Sequence, residues 1–205
     1  MKAGRIALPL ALLVLLGVSA RPALASASDD DCLACHSDPG LKSGAGKPLA
    51  VDPEKFRASV HGQAEIACVD CHADLKAVKD FPHAEKLKSV SCSGCHEKET
   101  QVLRASVHGG ATVEKDGMTV SCKDCHGTHD IRTKDDFESQ TFPINLPQTC
   151  LGCHSARVRN ARGGAFVELY EKSAHYRALE KSGLTLSANC SNCHGAHDIK
   201  AVKDA

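Results

Sequence analysis

Every cysteine in this sequence falls in one pattern. Twelve cysteines form six Cys-x-x-Cys pairs, each followed at once by a histidine: Cys32, Cys35 and His36; Cys68, Cys71 and His72; Cys92, Cys95 and His96; Cys122, Cys125 and His126; Cys150, Cys153 and His154; Cys190, Cys193 and His194. On a helical turn, residues at i, i+3 and i+4 project from one face. Two thiols can then bond the vinyl groups of a haem while the imidazole reaches its iron. Zinc ribbons and disulfides also use paired cysteines, but neither needs the following histidine. With 12 histidines in 205 residues, chance places one after all six pairs with a probability on the order of 10⁻⁸. The spacing therefore predicts six covalently attached c-type haems.

Six histidines remain for the opposite axial positions: His61, His83, His108, His129, His175 and His197. Methionine is no general competitor, because Met1 lies in the leader and Met118 is the one other. Bis-histidine ligation is expected at most or all sites. His61, His108 and His175 share a Ser-x-His context, and His129 and His197 share CHGxHDI, whereas His83, in FPHAEK, has no such counterpart. Two imidazoles close both axial faces of an iron, so the expectation is electron exchange with no catalytic residue and not an enzyme; replacing thioether by imidazole also predicts a low potential.

The elements that position these ligands repeat. Three passes each run through an early CxxCH, a Ser-[Val/Ala]-His, a late CxxCH and a trailing histidine. Dihaem units are expected over residues 26–90, 91–145 and 146–205, and FRASVHG in the first recurs as LRASVHG in the second. Segments Glu54–His61, Thr100–His108 and Gly164–Lys181 read as short amphipathic helices that present a histidine. Gly40–Pro48, Gly109–Gly117 and Thr133–Pro147 read as loops. Strand signals are nearly absent. The expected fold class is mostly α with extensive loops and little or no β-sheet, a multihaem cytochrome c fold whose shape haem contacts dictate. Aromatic residues make up 3% of the chain and tryptophan is absent, which leaves little to fill a conventional core.

Residues 1–25 read as a signal peptide, with Lys2 and Arg5 ahead of an apolar run from Ile6 to Ala20, and with cleavage after Ala25 or Ala27. Pro9 and the shortness of the run argue against an uncleaved membrane anchor. The leader takes three of the 25 basic residues, leaving 22 against 25 acidic ones, a formal charge of −3. With no basic stripe, nucleic acid is excluded as a partner. A chain not embedded in the membrane after cleavage, in the periplasm or outside the cell, is expected.

The motifs resemble the multihaem c-type cytochromes of respiratory bacteria, in particular their doubled-CxxCH group. There a histidine precedes CxxCHxxH and a further CxxCH follows, the order of His108, CKDCHGTH and CLGCH here; the first copy follows it loosely, and the third ends after His197. The resemblance implies electron transfer in anaerobic respiration with haems in close pairs. It also implies redox-protein partners: quinol-oxidising membrane cytochromes, other multihaem cytochromes and terminal reductases. The alternatives are a subunit of an extracellular cytochrome filament or homo-oligomer, an outer-membrane conduit, and, further off, a multihaem reductase.

Overall fold

The computed structural model describes residues 28–109, 112–113, 118–154 and 164–200; the leader lies outside them. Ten short helices follow one another in these segments: α1 (Asp29–His36), α2 (Pro53–Ala58), α3 (Val60–Gln63), α4 (Cys68–Cys71), α5 (Glu97–Ala105), α6 (Cys122–His126), α7 (Leu146–His154), α8 (Gly164–Glu171), α9 (Ala174–Ser182) and α10 (Cys190–His194). Two 3₁₀ turns, Ala73–Leu75 and Cys92–Gly94, complete the helical content. The mostly helical, loop-rich class expected from sequence is the class observed. Among the described residues sheet is limited to one hairpin, β1 (Thr112–Val113) against β2 (Met118–Thr119). It falls partly within a segment read as loop, where β-branched residues on either side favour extended pairing.

Among the described residues, the buried apolar side chains are Val69 and Leu179, at 4% and 1% exposure, and Pro147. Three such residues cannot offset the conformational entropy of a chain this long. The polypeptide is a wrapping whose interior side chains alone do not fill.

Each segment expected as one continuous helix is broken at the serine of Ser-x-His. Ser59 and Ser173 adopt extended backbone, and their hydroxyls accept the N–H of Gly62 and Tyr176, so each starts a new helix, α3 and α9. Ser106 instead ends α5, leaving His108 in the turn beyond it. A serine oxygen satisfies an N-terminal N–H that a continuing helix would pair internally, and this capping outweighs the amphipathic periodicity.

The six motifs all lie on helical turns, in two styles. Early motifs close a helix, as in α1 and α7, or form the 3₁₀ turn at Cys92. Late motifs open one at their first cysteine, in α4, α6 and α10. The difference lies in one spacer residue. Late motifs read C-x-[Asp/Asn]-C-H, and Asp70, Asp124 and Asn192 accept the backbone N–H of Ala67, Ser121 and Asn189 just before the first cysteine, at 3.1, 2.7 and 2.9 Å. Early motifs carry Ala34, Gly94 or Gly152 there, with no oxygen to cap a helix start.

Candidate functional site

The imidazoles assemble into pairs. Ring centres of His36 and His83 lie 6.1 Å apart, His61 and His96 6.1 Å, His72 and His129 6.3 Å, His108 and His154 6.0 Å, and His126 and His197 5.9 Å. Every pair joins one CxxCH histidine to one of the six others. Interplanar angles range from 5° to 65°, which stacking or edge contact would not produce at one common distance. Two imidazoles held on one metal through bonds of about 2.0–2.1 Å would stand roughly 6 Å apart whatever the angle between their planes. The donor set therefore fits an iron between each pair. Among the described residues no cluster of three or more His, Cys, Asp or Glu is placed to hold a bare metal ion.

Ring nitrogens and charges agree with this arrangement. His36 Nδ1 lies 2.8 Å from the Leu49 carbonyl and His83 Nδ1 2.8 Å from that of Ala84. A carbonyl can only accept, so both Nδ1 atoms carry the proton and Nε2 keeps the lone pair a metal needs. His72 Nδ1 is buried with no hydrogen-bond partner. Burial, and then the neighbouring imidazoles, hold His108, His126 and His129 below the ordinary value. Neutral imidazole is the ligating form.

The twelve cysteines are all free of disulfides, and the thiols that do meet belong to different motifs. Within each unit the two first cysteines are neighbours: Cys32 of Cys68, Cys92 of Cys122, Cys150 of Cys190. Between units the second cysteines are neighbours, Cys71 beside Cys95 and Cys125 beside Cys153; burial, then the adjacent Asp70 and Asp124 carboxylates, raise the Cys71 and Cys125 thiols. Burial, with the Asp29 carboxylate next to it, pushes the Cys68 thiol up to about 12. Sequence order of the six motifs is thus their spatial order, and the contact alternates between first and second cysteines along the row. The helices follow suit: α1 packs on α4, α6 on α7, and α7 on α10.

The histidine pairs cross the unit boundaries. His61 of the first unit faces His96 of the second, and His129 of the second faces His72 of the first. The next junction repeats the exchange, with His108 facing His154 and His197 facing His126. A backbone seam accompanies each exchange. The Val60 N–H donates to the Ile131 carbonyl at 2.9 Å, and the Val107 N–H to the Ile199 carbonyl at 3.0 Å. These valines belong to Ser-Val-His and the isoleucines to CHGxHDI.

A glycine makes the reach possible. Gly127 and Gly195, directly after the late motifs, have φ of +80° and +79°, a region that side-chain-bearing residues rarely adopt. The turn they make carries His129 and His197 away from their own motifs. The first unit has Ala73 at this position. Its chain continues into the 3₁₀ turn instead, and its trailing histidine, His83, arrives eleven residues after His72 and faces His36. His83, which lacks the sequence context of its counterparts, thus faces a motif of its own unit. His175 and His194 form no such pair among the described residues; the Ser187 hydroxyl holds the His175 carbonyl at 2.9 Å.

Comparison with known proteins accords with this geometry. The family model described as cytochrome c7 and related cytochrome c matches residues 54–127, and that of cytochrome c3 matches residues 114–203. The first match contains the His61–His96 pair and the second the His126–His197 pair. The chain is similar to the multiheme cytochrome MtrA of Shewanella baltica, at 24% identity over 62% of this chain and 32% of the relative. It is also similar to the high-molecular-weight cytochrome c of Nitratidesulfovibrio vulgaris, at 23% identity over 82% of this chain and 31% of the relative. The chain spans about a third of the length of these curated relatives. No solved structure matches it. Among the described residues no helix is long and apolar enough to cross a membrane.

Proposed function

We propose that this chain is a multihaem c-type cytochrome that carries six covalent haems and relays electrons along them in sequence order, at low potential, outside the cytoplasm. Haem c, when bound, supplies reversible one-electron exchange at its porphyrin edge. The cysteines of the six motifs hold it by thioether bonds, and the motif histidines His36, His72, His96, His126, His154 and His194 supply the proximal imidazoles. His83, His129, His61, His197 and His108 supply the distal imidazoles for the first five in that order. Closing both axial faces at these five sites keeps substrate off their irons, so they serve electron transfer and not catalysis.

The observation that carries this reading is the set of five cross-matched pairs at 5.9–6.3 Å. The row of touching motifs supports a relay in which neighbouring sites exchange electrons within each unit and across each junction. Low potential follows from imidazole on both faces and from a polypeptide too thin to bury its cofactors. Partners are other redox proteins, among them quinol-oxidising cytochromes and terminal reductases, and export through a cleaved leader places the chain where they work. Electron paramagnetic resonance of the oxidised holoprotein tests the assignment. At least five of six irons are expected to be low-spin with bis-imidazole signatures, with no turnover of nitrite or hydroxylamine. High-spin iron at several sites together with turnover would overturn it in favour of a reductase.

A further inference from the structure

Both internal junctions obey one rule. The Ser-x-His histidine of a unit faces the early motif of the next unit, the CHGxHDI histidine of the next unit faces the late motif of the first, and the Ser-x-His backbone donates to the HDI isoleucine. Applied to the third unit, the rule leaves three groups over: the His175 imidazole, the His194 motif and the Ala174 N–H. Ala174 is the first residue of α9, equivalent to Val60 and Val107, and its N–H meets no acceptor among the described residues. His175 and His194 are both exposed. Leu169 and Leu186 of the same unit are 65% and 93% exposed. Tyr176 stands where the other copies have glycine; it packs on Tyr170 and meets Gln148, which extends α9 without engaging the Ala174 N–H.

We propose that this face of the third unit is a docking site for a further c-type haem unit from outside this sequence, one that seats a CxxCHxxHDI element on Ala174 and exchanges histidines with it. The incoming histidine nitrogen would donate its lone pair to the iron held at His194, and His175 would do the same for the partner's early haem. The proposal rests on the ligand assignment above. A second copy of this chain does not fit. Its two HDI elements are engaged at its own junctions through Ile131 and Ile199, and its first unit is closed by His83 on His36.

The test uses the full-length ferric holoprotein. Expected is one high-spin haem in six that binds one equivalent of imidazole, and His175→Ala also shows one. The acetylated, amidated peptide Gly-Ala-His-Asp-Ile-Lys, this chain's own residues 195–200, should convert that haem to low-spin; a version with alanine for histidine should not. Ala174→Pro removes the N–H at a helix position that tolerates proline, after a Ser173 whose φ of −73° and ψ of 162° suit a residue before proline. It should weaken peptide binding about two- to tenfold while free imidazole binds as before. Six low-spin haems, one of which opens in His175→Ala, would overturn the proposal by showing that His175 closes the sixth haem within its own unit. Equal peptide affinity in Ala174→Pro, or self-association that closes the open haem in sedimentation, would overturn it too. His108→Ala separates the two levels: it should open one additional haem, and its failure to do so would reject the underlying ligand assignment instead.

Discussion

Replacing Gly127 by alanine should open a haem in a different unit from the substitution. Gly127 sits at φ +80° and ψ −162°, a region essentially confined to glycine, where another residue costs about 1–3 kcal/mol. An added Cβ would approach Gln140 Nε2 at 3.2 Å and Asp130 Oδ1 at 3.3 Å. Both are ends of side chains that can yield, so the backbone term decides. Relaxing it rotates the turn that carries His129 to His72. If the full strain is relieved when His129 lets go, the ligated state loses a factor of about 5–150. The haem affected is the one held at Cys68 and Cys71, although Gly127 follows the motif at Cys122. The assay is an imidazole titration of the ferric holoprotein, read as high-spin haem lost. Gly127→Ala is expected to match His129→Ala at one site, and the double variant to add nothing, because both act on one ligand. Gly152→Ala is the control, since a Cβ there meets nothing within 4 Å. A Gly127→Ala protein with the spectrum and stability of the unaltered one would refute the reasoning, as would a change that matches His197→Ala.

Further outcomes follow from the same geometry. Denaturing mass spectrometry of the exported protein should show six haems on the leader-free chain, and Cys→Ala at both cysteines of one motif should remove one. The haem at His36 should titrate at a lower potential than the haem at His72, because hydrogen bonds from His36 and His83 to carbonyls make those imidazoles stronger donors, while His72 Nδ1 has no such partner; redox titration of His36- and His72-specific signals checks the order. Since burial lowers the pKa of His108, His126 and His129, the unfolded chain binds more protons than the folded one below the ordinary imidazole value. Their contribution to stability should be complete above the ordinary value of 6.5 and shrink as pH falls below it. A thermal midpoint that rises on acidification from neutral pH would contradict this.

What the sequence makes legible is local: CxxCH fits on one helical turn, and six spare histidines match six motifs in number. The pairing is not, because it depends on where the backbone turns. One glycine at positive φ after CKDCH or CSNCH sends the next histidine to another unit, while Ala73 in the first unit keeps the chain in a 3₁₀ turn and leaves His83 to close on His36. A linear repeat of self-contained dihaem units is the simplest reading of the spacing, yet each junction exchanges two histidines. The breaks at Ser59 and Ser173 had a signal, a serine able to cap the helix that follows it, but the apolar periodicity on either side ran through it. The Asp or Asn that separates late motifs from early ones was equally visible, and its meaning emerges only when Asp70, Asp124 and Asn192 are seen to accept the preceding N–H.

The most direct test of the central claim is the identity of the distal ligand on the haem bound to Cys68 and Cys71, read from an experimental structure of the holoprotein at a resolution that traces side chains. The account requires His129, from the following unit, on the far side of that iron from His72, with His83 on the haem of Cys32 and Cys35. His83 on the iron of His72, within its own unit, would contradict the exchange of ligands across the junction and the relay built on it.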